Sequence, residues 1–178
     1  MLAVATSSDT ESSIYLVDTN GGDLQSNSPS TVIVCKDKGA AGIAYNSLSF
    51  DNYSGQLASA NDAGIIKIFD ISSNKNVATF CPDASGIEFI KYSNSGRLFT
   101  AGMSSRGQIQ IWDPRDTPKQ YPVLLNSGLN ESISIVVPHV SQEHILFYGT
   151  SCGRITQVDL RSGGILGTYS PHKKRGIY

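Results

Sequence analysis

Four times along the chain a short β-rich stretch closes on an aspartate, at Asp18, Asp70, Asp113 and Asp159. The intervals are 52, 43 and 46 residues. Self-similarity at a period of roughly 40–45 residues restricts a chain to repeat architectures. Each unit alone cannot bury its apolar face, so neighbouring units must stack to build a core.

The second copy shows the grammar most clearly. Leu57 to Ala60 supplies one strand, Asn61 to Gly64 carries the Asn/Asp/Gly chemistry of a tight hairpin turn, and Ile66, Ile68 and Asp70 alternate with Lys67 and Phe69. Period-two alternation gives each strand two distinct faces, one for each neighbouring unit. The same pattern recurs from Arg97 to Gly102 with Gly107 to Asp113, from His144 to Gly149 with Gly153 to Asp159, and more loosely from Leu2 to Thr6 with Ser13 to Asp18.

Outer strands are expected at Thr31 to Cys35, Asn76 to Phe80, Tyr121 to Leu125 and Ile165 to Tyr169. Innermost strands are expected at Gly42 to Phe50, Gly86 to Tyr92 and Ser132 to Val137. No dozen residues free of Gly or Pro show apolar spacing at i, i+3, i+4 and i+7, so helix is nearly absent and the class is all-β.

Composition narrows the partners. A chain of 178 residues with 39% hydrophobic content, 17 glycines and a formal net charge of −1 can bury a core, and its charge favours neither nucleic acid nor an anionic membrane. The basic run Lys173 to Arg175, beside His172, reads as a solvated loop. Cys35, Cys81 and Cys152 are odd in number and far apart in or beside strands, which predicts reduced, half-buried thiols and a cytosolic or nuclear setting. Met1 to Thr10 lacks a secretory signal pattern, and nowhere do 18 apolar residues run together, so no membrane insertion is expected. The sequons at Asn52 and Asn130 are short enough to arise by chance.

Chemistry-bearing constellations are sparse, which argues against an enzyme. His139 and His144 flank a turn without a Cys, an Asp or a second His pair at ligand spacing, so a loop is favoured over a metal site. The glycine pairs at Gly21 and Gly163 form no phosphate loop, and Ser151 to Arg154 reads as a hairpin turn rather than a nucleophile. No cofactor is implied. Trp112-Asp113-Pro114-Arg115 and Val158-Asp159-Leu160-Arg161 both set an Arg two positions after the Asp. Either the pair supports the turn or the Arg is offered to a partner, and the turn role is favoured.

Ala58 through Asp70 and Gly107 through Asp113 resemble WD repeats of the β-propeller superfamily. Within it, Arg97 to Arg115, His144 to Arg161 and the opening Ala5 to Leu16 most resemble the nucleoporin propellers of the nuclear pore's Y-shaped outer-ring subcomplex. The resemblance implies one partial propeller of about four blades over residues 1–178, with blades ending near Asp18, Asp70, Asp113 and Asp159. Its repeat-signature and possible interaction residues are Asp70, Trp112, Asp113, Arg115, Asp159 and Arg161. It further implies a noncatalytic scaffold at the nuclear envelope that supports nucleocytoplasmic transport of RNA and protein. Its partners are outer-ring subunits, without direct nucleic-acid contact. The alternative is a substrate receptor of a cullin-type ubiquitin ligase, since Trp112-Asp113-x-Arg115 is similar to an adaptor-docking box.

Departures from the pattern bear on stability. Tryptophan stands only at Trp112, with Val17, Phe69 and Val158 in the other copies, and the usual Gly-His pair is missing. The buried His–Asp–Ser–Trp network of many WD repeats cannot form, leaving inter-sheet packing to stabilise the fold. Seven blades would need roughly 300 residues, so an incomplete ring with exposed inter-blade faces is expected, consistent with a fragment or a shortened isoform. The long first interval points to a blade lost between Cys35 and Phe50 relative to the resembled family.

Overall fold

The computed structural model describes residues 2–7, 11–17, 31–38, 43–81, 86–102, 107–113, 123–126 and 131–171. Among them stand fifteen strands and no helix. The first sheet comprises β1 (Leu2–Ser7), β2 (Glu11–Val17) and β3 (Thr31–Lys38). The second comprises β4 (Tyr45–Asp51), β5 (Gln56–Asn61), β6 (Ile66–Asp70) and β7 (Lys75–Phe80). The third comprises β8 (Ile87–Tyr92), β9 (Leu98–Gly102), β10 (Gln108–Trp112) and β11 (Val123–Asn126). The fourth comprises β12 (Ile133–Pro138), β13 (Ile145–Thr150), β14 (Ile155–Asp159) and β15 (Gly164–Tyr169).

Every sheet is an antiparallel meander in chain order. Asp70 and Asp159 end the third strand of their sheets, and one further outer strand follows each. The innermost strands expected from Gly42, Gly86 and Ser132 are β4, β8 and β12. Among the described residues, the first sheet has no such strand inside β1.

The turn chemistry is local. Asn61 Oδ1 accepts the Ile65 amide at 2.8 Å, while the Gly64 amide donates to the Asn61 carbonyl at 3.2 Å. Gly64 holds φ of 74°, which its missing Cβ permits. Gly86, just before β8, answers a different constraint, because a Cβ there would lie 2.5 Å from the Asp62 carbonyl oxygen. Backbone meets backbone at that point between the second and third sheets.

Alternation then sorts the apolar side chains into three inter-sheet cores. Ile14 and Leu16 of the first sheet pack with Leu57 and Phe69 of the second. On the second sheet's other face, Ala58, Ala60, Ile66 and Ile68 meet Ile87, Ile90, Tyr92, Leu98 and Trp112. Phe99 and Ile109, on the far face of the third sheet, meet Ile133, Val136, Leu146, Tyr148 and Val158. The first and second sheets therefore pack directly despite the long interval between their aspartates.

In the second, third and fourth sheets large and small residues sit on neighbouring strands of the same face. Phe69 is accompanied by Ser59, Trp112 by Thr100, and Val158 by Tyr148, so a large residue on one strand goes with a small one on the next. In the fourth sheet the small Val158 is accompanied by the large Tyr148 on its neighbouring strand. Side chains of β4 also reach β8. The Ser49 hydroxyl accepts the Tyr92 amide at 3.0 Å, the Ser47 hydroxyl accepts the Ile90 amide at 3.2 Å, and Asn46 Nδ2 donates to the Ile87 carbonyl at 3.0 Å. Those bonds occupy backbone groups on a strand edge that would otherwise be left unpaired.

Candidate interaction surface

Trp112 is a packing residue. It is 7% exposed, its ring centroid lies 5.5 Å from that of Phe80 on the second sheet, and its indole Nε1–H donates to Thr100 Oγ1 at 3.2 Å. This Trp–Thr link satisfies the one polar atom of the buried ring.

Asp70 and Asp159 cap the turns that follow them. Asp70 Oδ1 accepts the Ser72 hydroxyl at 2.6 Å and the Ser73 amide at 3.0 Å, and the Ser72 bond chiefly holds its carboxyl below the usual range. Asp159 accepts the Arg161 amide at 2.9 Å, Arg161 Nε at 3.2 Å and Nη2 at 3.0 Å. Arg161's side chain and amide bring the Asp159 carboxyl down to about 2, and Asp159 raises the guanidinium in turn. Arg161 is thus engaged within its own turn. Asp113 follows β10 and is half-buried. Asp18, Arg115, the Cys35 thiol and the Lys173 to Arg175 run lie outside the described residues.

Sequence reasoning missed a second ion pair. Glu131 Oε1 accepts Arg154 Nη2 at 2.7 Å, and its Oε2 accepts the hydroxyl of the fully buried Thr150 at 2.7 Å. The three residues tie the start of β12 to the β13–β14 turn. Nothing in their spacing signals this, because register rather than sequence proximity brings Glu131 to Arg154. His139 takes a turn role: its Nδ1 accepts the Ser141 and Gln142 amides, and its ring lies against Phe147 at 6.3 Å. No metal-ligand group of three or more His, Cys, Asp or Glu occurs among the described residues.

The cysteine expectation needs correction. Cys81 and Cys152 are exposed rather than half-buried, since one follows the outer strand β7 and the other sits in the β13–β14 hairpin turn. No helix among the described residues is long and apolar enough to cross a membrane.

Two surface features stand out among the described residues. A polar open groove of about 480 Å³ runs between the β4–β5 and β8–β9 turns, lined by Asp51, Tyr53, Ser54, Gln56, Asn94 and Ser95. Asp51 is occupied there by the Tyr53 amide and the Ser54 hydroxyl, so it reads as a turn cap. The other feature is apolar. Ile135, Val137, Phe147 and Ile155 form a shallow concavity on the outer face of the fourth sheet, with Val137 46% exposed.

No protein-family model matches the chain, and no curated protein matches it in sequence. Solved structures do match in shape. A chain of the mitotic checkpoint complex superposes with a TM-score of 0.73 at 15% identity, over 97% of this chain and 49% of that one. The Cps50 (Swd1) β-propeller domain of Myceliophteria thermophila gives 0.71 at 17% identity, over 97% and 53%. The chain therefore spans about half the length of these matches. Its fold is all-β and propeller-like, four radial sheets of a partial β-propeller.

Proposed function

We propose that this chain is a single partial propeller over residues 1–178 acting as a noncatalytic scaffold, a nucleoporin-like subunit of the nuclear pore outer ring that supports nucleocytoplasmic transport. The observation that carries the scaffold reading is where its polar chemistry goes. Among the described residues Asp51, Asp70, Asp159, Arg161, Glu131 and His139 all close turns or tie strands, which leaves the strand edges and sheet faces of the described part as surfaces for partners. Such surfaces recognise proteins by shape and apolar contact. One matched structure comes from a multiprotein complex, which supports protein partners here. The pore assignment draws on the resemblance of Arg97 to Arg115 and His144 to Arg161 to the forty-three-kilodalton nucleoporin.

The rival is a ubiquitin-ligase substrate receptor docking through Trp112-Asp113-x-Arg115. Trp112 is turned into the core and the equivalent Arg161 is committed to Asp159, which favours a turn role for the motif. Imaging of a tagged chain, with affinity purification and mass spectrometry, separates the two. Rim signal and outer-ring subunits are expected. Diffuse signal with ligase adaptors captured in an Arg115-dependent manner would overturn the scaffold assignment in favour of the receptor.

A further inference from the structure

The polar groove between the β4–β5 and β8–β9 turns holds a charge that the described part of the chain does not answer. Asp51 is 7% exposed, yet its carboxylate lines the groove. The Tyr53 amide and the Ser54 hydroxyl that it accepts are neutral donors, so they cap the turn and leave the charge uncompensated. Among the described residues no Lys, Arg or His forms an ion pair with it. Buried charges are ordinarily paired, because removal from water is costly for an ion without a counter-charge.

Two further observations centre on the same carboxylate. Tyr92 is 5% exposed and its phenol hydroxyl has no hydrogen-bond partner among the described residues, while burial first and the Asp51 charge second push its titration up. The unanswered charge is felt inside the core as well as at the groove. On the other side stands Gly96, where a Cβ would lie 3.5 Å from Asp51 Oδ2. With no side chain there, the space beside that oxygen belongs to the groove.

The rest of the lining suits one kind of cation. Asn94 donates its Nδ2 to the Val140 carbonyl at 2.7 Å, which leaves its Oδ1 as an acceptor, and Gln56 adds a second amide. Tyr53, 79% exposed, adds an aromatic ring. Several acceptors around one carboxylate match the planar, many-donor guanidinium better than a compact ammonium, and a guanidinium also stacks on aromatic faces. We infer that this groove takes an arginine side chain presented by a partner protein, with its guanidinium paired to Asp51. The inference rests on the scaffold reading only for the partner being a protein, and it gives that partner a chemistry.

NMR titration of the full chain with the peptide acetyl-Gly-Arg-Gly-amide tests this. The matching citrulline peptide keeps the shape, loses the charge and serves as the control. The arginine peptide should give saturable shifts at the amides of Tyr53, Ser54, Ser95 and Gly96, with a Kd on the order of 1 mM, and the citrulline peptide should bind at least about tenfold more weakly. Asp51→Asn keeps an oxygen for the Tyr53 amide and should weaken the arginine peptide about tenfold or more. Should Asp51→Asn lose its β-sheet circular dichroism signal, Ser95→Lys takes its place: it supplies a cation from within the groove and should weaken the peptide to the same degree. No saturable shift, an equal response to the citrulline peptide, or an affinity that ignores the substitution would each overturn the inference. Those results leave the scaffold assignment standing, since imaging and purification read it separately. Loss of rim signal with peptide binding intact would sink the pore assignment and keep the groove.

Discussion

The downstream faces of the third and fourth sheets are one design in two settings. Phe99 and Phe147 hold the same register position, as do Ile109 and Ile155, yet the first of each pair is fully buried and the second only partly so. What differs is whether another sheet follows. Sequence pattern therefore encodes which face is made for packing, while burial itself depends on a neighbour. The most sensitive tests of the fold therefore lie in the covered cores.

The largest effect is expected at Trp112, where ring packing against Phe80 and the bond to Thr100 both join covered core. Trp112→Ala should cost about 3–5 kcal/mol, the usual range for truncating a large buried aromatic. Chemical denaturation with unchanged slope should report it. An unshifted midpoint would mean that the second and third sheets do not pack through this ring.

The comparison itself is broken or sharpened by paired substitutions. Phe99→Ala should cost about 3–5 kcal/mol, whereas Phe147→Ala should cost less, since its ring is only partly buried while that of Phe99 is fully so. Equal costs would show the two faces to be equally covered.

A smaller effect is expected at Glu131, which bridges Arg154 and Thr150 at the edge of the fourth sheet. Glu131→Ala leaves the fully buried Thr150 hydroxyl unpaired and should cost about 1–3 kcal/mol. Glu131→Gln keeps an acceptor for Thr150 and should recover part of the loss. If Gln proves no better than Ala, the ion pair to Arg154 carries the effect instead.

Much of this architecture was legible in the sequence. The aspartates, the Asn61–Gly64 turn and the two-residue alternation at Ile66 and Ile68 are local signals, and local signals locate strands and turns. Three innermost strands were expected for four repeats, and three occur among the described residues. What local reading missed depends on register and edges. Glu131 meets Arg154 only through the β12–β13–β14 pairing, and the exposure of Cys81 and Cys152 follows from an outer edge and a hairpin tip. The Phe69/Ser59, Trp112/Thr100 and Val158/Tyr148 exchange becomes visible only once strands are paired, because each member looks arbitrary in its own segment.

The smallest effect compares the turns after β6 and β14, where the same capping aspartate uses different partners. Asp70 is held by hydroxyl and amide donors from Ser72 and Ser73, while Asp159 is held first by the Arg161 side chain and then by the Arg161 amide. Both carboxyls titrate below the usual range, Asp159 at about 2 against an ordinary 3.8. A carboxyl with a depressed folded-state value binds fewer protons folded than unfolded. Its stabilising contribution is therefore present above the unfolded value near 3.8 and is lost as pH falls toward 2. Arg161 is 69% exposed, so added salt should screen its attraction, whereas the Ser72 bond to Asp70 involves no second charge. In carboxyl-detected NMR titrations, about 1 M salt should raise the Asp159 midpoint more than that of Asp70. Arg161→Gln should raise the Asp159 midpoint and leave Asp70 unchanged. An Asp159 midpoint that ignores both salt and Arg161→Gln would assign the cap to the backbone amide alone, leaving the Arg161 side chain unneeded by its own turn.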